Sequence, residues 1–191
     1  MPAFNYQYIK RIFHMSKLHQ DYLVYIEQHE LIVYSNIKRL LSLVLRTTFV
    51  IVLFYRLANS DYKIVKWLSI PIYKLIRIIS GVQIPRNTQI GGGLYLPHFG
   101  MIVLNQKAKY GDFLTIYHGV TVGAKGGGNK KDFGLPIIGN NVRIATGAIV
   151  LGSISIGDNA LIGAGAVVVK SIPSNSIAVG NPAKFKMYMG N

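Results

Sequence analysis

The sequence predicts a mainly β fold, a left-handed parallel β-helix, preceded by an α-helical N-terminal region. Three observations predict it. Every sixth residue of one long stretch is apolar, a period that neither a 3.6-residue helix nor an alternating strand produces. Glycine follows several of these residues, at points where a sharply turning chain leaves no room for a side chain. Residues 1–80 contain no glycine, whereas residues 81–191 contain all 20 glycines of the chain.

The six-residue repeat runs from Ile84 to Val168 with one interruption. Its members are Ile84, Ile90, Leu96, Ile102, Ala108, Leu114, Val120, Ile138, Ile144, Val150, Ile156, Ile162 and Val168. We expect these side chains to face a continuous core, with three hexads completing each triangular coil. The turn glycines are Gly91, Gly139, Gly157 and Gly163. The interruption, residues 123–135, is rich in glycine and lysine and predicts a loop that leaves the coils.

The chain divides near Ser80 and Gly81 into two predicted units. Residues 1–80 form a helical N-terminal region, and residues 81–191 form the β-helix domain. There is no cysteine, which excludes disulfides, thiolate ligands and a cysteine nucleophile. The N-terminus lacks the apolar core and cleavage site of a secretory signal. We therefore expect a cytoplasmic protein, one that contacts the inner face of the membrane if its helices bind lipid.

The helical region contains two apolar segments with basic residues. In residues 40–57, Arg46 and Arg56 disfavour a bilayer-spanning helix. In residues 62–80, lysines and an arginine recur at helical spacing among aliphatic side chains and a tryptophan, and Pro71 is expected to kink the helix or end its first half. Two interpretations fit this second segment: packing within an oligomer, and contact with an anionic membrane surface.

The net charge of +14 calls for an anionic partner. No basic recognition helix, zinc motif or pattern of stacking aromatic residues accompanies it, which argues against nucleic acid. Anionic lipid, an anionic glycan carrier and the phosphates of a nucleotide cofactor are better candidates. No group of His, Asp or Glu has ligand spacing, so the sequence predicts no metal site.

Four blocks of sequence resemble a known family. They are IGGGLYLPHFGMIV at residues 90–103, TIYHGVTVGAKG at residues 115–126, IGAGAVVVKSIP at residues 162–173 and VGNPAK at residues 179–184. Their order, after a helical region, resembles the serine O-acetyltransferase branch of the hexapeptide-repeat acyltransferases. The resemblance implies a homotrimer of β-helices, acetyl-CoA as the acetyl donor, and active sites in clefts between neighbouring coils.

The resemblance also implies roles for individual residues. His98 falls at the position of the catalytic histidine, the general base, and a histidine titrates in the range that this role needs. Backbone N–H groups of Gly123 and Ala124 are implied near the thioester. The cofactor-binding residues implied are Gly123, Ala124, Lys125, Thr146, Ala164 and Lys184. Lys130, Lys131 and Lys170 are further candidates for the CoA phosphates.

His118 is a second candidate for catalysis. It lies 20 residues after His98, close to one coil, so the two imidazoles are expected to lie near each other. Counted from Leu114, His118 is the fifth residue of its hexad, a position that often points inward. An interior or subunit-interface histidine is therefore the alternative to a catalytic one. His14, His19 and His29 have no motif around them and are predicted to be surface or packing residues.

Three departures from the family pattern concern the acceptor. Pro97 replaces the aspartate before the catalytic histidine, Gln83 replaces a carboxylate on the preceding coil, and Leu135 replaces a histidine. These groups bind or orient the amino acid in the serine enzymes, and a zwitterion needs charged partners. The sequence therefore predicts a carbohydrate acceptor, a sugar hydroxyl of a surface polysaccharide or its precursor. The alternatives are a serine O-acetyltransferase and a non-catalytic trimeric scaffold.

Overall fold

The computed structural model describes residues 16–30, 35–126 and 134–187. Four helices precede the coils. Their bounds are α1 (Lys17–Gln28), α2 (Asn36–Val44), α3 (Thr47–Leu57) and α4 (Lys63–Ser80). Ser16 caps α1 by accepting a hydrogen bond from the His19 N–H at 3.3 Å. Gly81 ends α4 in a left-handed conformation with φ of 66°, which a glycine adopts without steric cost.

The apolar segment 40–57 is divided between two helices. α2 ends at Val44 and α3 begins at Thr47, with Arg46 half-buried between them. Across the described ranges, no helix combines the length and hydropathy that crossing a bilayer requires.

Of the two effects expected of Pro71, a kink or an end to the first half of the helix, the second is wrong. The helix continues through Pro71 to Ser80. Proline lacks the N–H that would bond to the Trp67 carbonyl. Both residues lie on an exposed face, where water can hydrogen-bond to that carbonyl, so the proline is tolerated.

Short strands form the coils. They are β1 (Gln89–Ile90), β2 (Val103–Leu104), β3 (Lys109–Tyr110), β4 (Thr115–Ile116), β5 (Thr121–Gly123), β6 (Ile137–Ile138), β7 (Arg143–Ile144), β8 (Ile149–Leu151), β9 (Ser155–Ile156), β10 (Leu161–Ile162), β11 (Val167–Val168), β12 (Ser176–Gly180) and β13 (Ala183–Met187). They make three sheets, the faces of a prism. Face A contains β2, β5, β8 and β11; face B contains β1, β3, β6 and β9; face C contains β4, β7, β10, β12 and β13.

Each strand pairs in parallel with the strand one coil further along. On face A, for example, Thr121 pairs with Ile149, and on face C, Arg143 pairs with Leu161. The exception is β13, which returns antiparallel to β12. All the repeat residues from Ile84 to Val168 are at most 2% exposed. The predicted mainly β solenoid, with its apolar interior, is confirmed.

The turn glycines are required by close contact between coils. An added Cβ at Gly91 would lie 2.3 Å from the Asp112 carboxylate, and one at Gly139 would lie 2.4 Å from the Asp158 carboxylate. Both distances are far below van der Waals contact. A side chain at either position would therefore force neighbouring coils apart.

A buried ion pair fastens the helices to the first coil. Arg56 of α3 donates two hydrogen bonds to the Asp21 carboxylate of α1, at 2.7 and 3.1 Å. The same carboxylate accepts from the Leu94 N–H at 2.7 Å, and Arg56 also donates to the Ile90 carbonyl at 2.9 Å. Burial raises the pKa of Asp21, and the Arg56 charge opposes that shift.

Candidate active site

One edge of the prism, between faces C and A, collects the two histidines of the coil domain. We call it the histidine edge; it comprises residues 96–102, 117–120, 145–148 and 163–166. Its turns stack through backbone hydrogen bonds. The Gly119 N–H donates to the Gly100 carbonyl at 3.0 Å, the Gly147 N–H donates to the His118 carbonyl at 3.0 Å, and the Gly165 N–H donates to the Thr146 carbonyl at 2.9 Å. All four of these glycines have positive φ.

The turn that carries His98 is longer than its counterpart on the next coil. Tyr95 pairs with Thr115, and Val103 pairs with Thr121. Tyr95 and Val103 are eight positions apart, whereas Thr115 and Thr121 are six positions apart. His98 lies within this longer turn and is exposed.

His98 and His118 lie side by side. Their ring centroids are 5.7 Å apart, with the rings inclined at 78°. The Tyr117 ring lies 6.3 Å from His98. Both histidines are exposed, so either can meet a substrate.

The alternative of an interior His118 is wrong. Since Thr115 pairs with Arg143 and Thr121 pairs with Ile149, His118 is level with Thr146, not with buried Ala148. The two extra residues in the His98 turn shift the phase of the six-residue repeat, which is why counting from Leu114 misplaced His118.

Thr146 and Ala164 continue the histidine edge beyond His118. Each is the residue just before a turn glycine, as His118 is before Gly119. Thr146 is half-buried and Ala164 is exposed, and a Cβ added at Gly147 or Gly165 would meet no atom within 4 Å. Small side chains and open space thus form a track along the coils, which fits an extended cofactor.

Other predicted site residues lie away from this edge. Gly123 ends β5 at the opposite edge of face A, and Ala124 and Lys125 follow it. The Gly123 carbonyl accepts from the Gly152 N–H at 3.1 Å. Lys184 lies in β13, paired with Val179. Four residues separate His118 from Gly123, and Thr121 and Val122 of these lie in β5, so the two ends lie at opposite edges of face A. One chain alone does not bring all the predicted cofactor contacts together. Lys170 is exposed, and Lys130 and Lys131 lie outside the described residues.

The three departures lie on different segments of the chain. Pro97 precedes His98 in the long turn. Gln83 is exposed at the start of the first coil, and its N–H donates to the Ile102 carbonyl at 2.6 Å. Leu135 packs partly buried against the core, beyond the far edge of face A.

The two described histidines of the helical region are not part of the histidine edge. His19 is exposed on α1. The His29 ring packs 6.0 Å from Tyr95, and burial, followed by the nearby Arg46 charge, lowers its pKa. His14 lies outside the described residues.

Sequence reasoning missed a basic cleft of about 380 Å3 between the end of α4 and the first coil. Its lining residues are Lys74, Arg77, Ile78, Gly81 and Gln83. The available signal was the spacing of Lys74 and Arg77, which places both on one side of α4 just before the coils begin. The same spacing is also typical of an amphipathic helix surface.

The sequence of this chain is similar to that of known acyltransferases. Residues 136–170 match the model of the bacterial transferase hexapeptide (six repeats). A serine acetyltransferase of Helicobacter pylori is 41% identical over 135 residues, which is 68% of this chain and 75% of that protein.

Two solved structures are similar over most of the chain. Serine acetyltransferase from Brucella abortus in complex with coenzyme A is 30% identical, with a TM-score of 0.71, over 91% of this chain and 67% of that one. Neisseria gonorrhoeae serine acetyltransferase in complex with serine is 31% identical, with a TM-score of 0.70, over 89% and 67%. The chain thus spans about two thirds of these solved chains.

The relatives bear on two expectations from the sequence, the carbohydrate acceptor and the membrane contact. They favour the serine alternative and give no support to polysaccharide acetylation or to membrane contact. The coils, the histidine edge and the similarity over three quarters of the Helicobacter pylori protein agree, and the chain belongs to the hexapeptide-repeat acyltransferases, in their serine acetyltransferase branch.

Proposed function

We propose that this protein transfers the acetyl group of acetyl-CoA to the hydroxyl of L-serine, with His98 as the general base. The observation that supports this reaction is the exposed His98–His118 pair, which lies at one end of an open track of small residues. The similarity to serine acetyltransferases supports the acceptor. A cytoplasmic location follows from the proposal, because acetyl-CoA is an intracellular metabolite.

The reaction needs no covalent enzyme intermediate. His98 takes the proton of the acceptor hydroxyl, the oxygen attacks the thioester carbonyl, and the C–S bond breaks as the tetrahedral intermediate collapses. The imidazolium then returns the proton to the CoA thiolate. His118 contacts the His98 ring and orients it in the place of the missing carboxylate. Backbone N–H groups stabilise the oxyanion.

A trimer would complete the site. Gly123 and Ala124 lie across face A from His98, so a neighbouring copy is the natural source of the thioester contacts. α4 supports assembly because its side chains Trp67, Leu68, Ile78 and Ile79 are 67% to 75% exposed in a single chain. Large apolar side chains that are this exposed in a single chain are typical of an interface. The acetyl-CoA phosphates would then meet Lys125 and Lys184 at the surface.

A variant of the track tests where the cofactor lies. We expect Ala164→Trp to raise the KM for acetyl-CoA about 10-fold or more, because an indole would fill space that the pantetheine chain needs. The matched control is Ser155→Trp, an exposed strand position on face B. Steady-state kinetics of both variants with acetyl-CoA check the expectation. An unchanged KM in Ala164→Trp would exclude this track as the cofactor path.

A second candidate acceptor is a sugar hydroxyl, favoured by Gln83, Pro97 and Leu135. These residues leave a serine ammonium without the carboxylates expected from the family. Each charged hydrogen bond lost is worth about 1.5–3 kcal/mol. Serine turnover would then fall by about one to two decades for each bond, while a neutral sugar would be unaffected.

Acetyl transfer from labelled acetyl-CoA to L-serine and to a panel of neutral and acidic sugars decides between the two. We expect L-serine to be acetylated with a kcat/KM in the ordinary enzyme range, above about 10⁴ M⁻¹s⁻¹. Transfer to a sugar at that level, with serine at least about 100-fold poorer, would reject serine as the acceptor and support the second candidate.

A further inference from the structure

The basic cleft lies beside the turn that carries His98. Lys74 and Arg77 reach it from the last turns of α4, and the entry into the first coil forms its opposite wall. A Cβ added at Gly81 would lie 3.4 Å from the Met101 nitrogen, so this wall packs directly on the long turn of the histidine edge. The cleft therefore borders the end of the turn that carries His98, at Gly100 and Met101.

The charges in this cleft have no counterion within the described ranges. Neither Lys74 nor Arg77 forms an ion pair with a described residue, whereas Arg56 is paired with Asp21. The Nε of Arg77 donates to no described group. A cation without a counterion favours an anionic ligand. Gln83 is neutral and leaves the charges uncompensated.

We infer that Lys74 and Arg77 bind an anionic group, a carboxylate or a phosphate, that is carried by the acceptor. This inference rests on the proposed function, because it makes the anion part of the molecule whose hydroxyl is acetylated. Arginine and lysine both form short, charge-assisted hydrogen bonds with such groups. L-Serine supplies a carboxylate, and an acidic or phosphorylated sugar supplies the same chemistry.

The position of Lys74 and Arg77 also explains how a carboxylate could be bound, although Leu135 replaces the histidine of the family. Leu135 is apolar and lies beyond the far edge of face A. The basic pair instead approaches from the helix side, next to the His98 turn. Residues 74 and 77 would thus select acceptors by charge, and His98 would act on the hydroxyl.

The first test is binding of inorganic phosphate to the full chain, measured by calorimetry at constant ionic strength. Arg77→Met and Lys74→Met are compared with Lys63→Met, which removes a charge from the start of the same helix, about 16 Å from Lys74. We expect the first two to weaken phosphate binding at least about 10-fold and the third less than about 2-fold. Equal binding by all three would overturn the inference, whatever their activity.

The second test uses acceptor pairs that differ chiefly in a carboxylate: L-serine with L-serinamide, and D-glucuronate with D-glucose. We expect Arg77→Met to lower kcat/KM for one charged acceptor about 10-fold to 100-fold, and to change its neutral partner less than about 3-fold. The affected pair identifies an amino acid or an acidic sugar as the source of the anion.

The two proposals fail in different ways. Equal losses on both members of each pair would overturn the anion-binding role, even if the wild type acetylates L-serine well. Conversely, the protein could bind phosphate through Arg77 and yet acetylate none of the four acceptors. That result would support the anion site and contradict the proposed acceptors.

Discussion

Replacing His98 with alanine is expected to lower acetyl transfer at least about 100-fold, because a general base typically contributes that much or more. The affinity for CoA should stay nearly unchanged, since the imidazole acts on the acceptor proton. His118→Ala should cost less, because that ring positions its neighbour, 5.7 Å away. Initial rates with saturating acetyl-CoA, and CoA binding by calorimetry, measure the two effects separately.

His19→Ala is the matched control for this prediction. His19 is exposed on α1, well away from the edge, and its loss should leave the rate within about 2-fold. Near-normal turnover of His98→Ala would exclude His98 as the base. A parallel loss of CoA affinity would instead indicate that the ring supports the cofactor.

Replacing Asp21 with alanine is expected to destabilise the fold by about 3–5 kcal/mol, because it leaves the Arg56 guanidinium buried without its counterion. The side chains of Arg56 and Asp21 are 9% and 0% exposed, so little water reaches the pair. The Leu94 N–H loses its acceptor as well. Urea denaturation, followed by circular dichroism, measures the change in the free energy of unfolding.

The double variant Asp21→Leu with Arg56→Met separates the ion pair from simple packing. Apolar side chains of similar volume often replace a buried pair at little cost, so the double variant should be more stable than Asp21→Ala. Lys107→Ala, at an exposed position, should change stability by less than about 0.5 kcal/mol. A loss below about 1 kcal/mol in Asp21→Ala would contradict the role of the pair in holding the helices on the coils.

The coil region was predictable because its core repeats. Ile138, Ile144 and Val150 each occupy an equivalent place, and one apolar residue per hexad is enough to specify an interior. His98 was predictable from the block of sequence around it. Its neighbour His118 was predicted near it, but the alternative of an interior His118 stayed open, because strand register depends on two extra residues that the six-residue count cannot reveal.

Long-range polar contacts were not predictable. Asp21 and Arg56 are 35 positions apart on different helices, and neither lies in a motif. The sequence interpretation used Arg56 only as an obstacle to a membrane span. Lys74 and Arg77 were likewise interpreted as part of a helix surface, since their cleft exists only where α4 meets the first coil. Such contacts depend on the packing of separate elements, which local patterns do not encode.

The most direct test of the central claim is a balance of acetyl groups with the purified protein. Labelled acetyl-CoA and L-serine are incubated with wild type and with His98→Ala, and both free CoA and O-acetyl product are quantified. We predict one free CoA for each O-acetyl ester formed by the wild type, and almost no ester from His98→Ala. Release of CoA without an acetylated hydroxyl, or stable acetylation of the protein itself, would contradict direct transfer at the histidine edge.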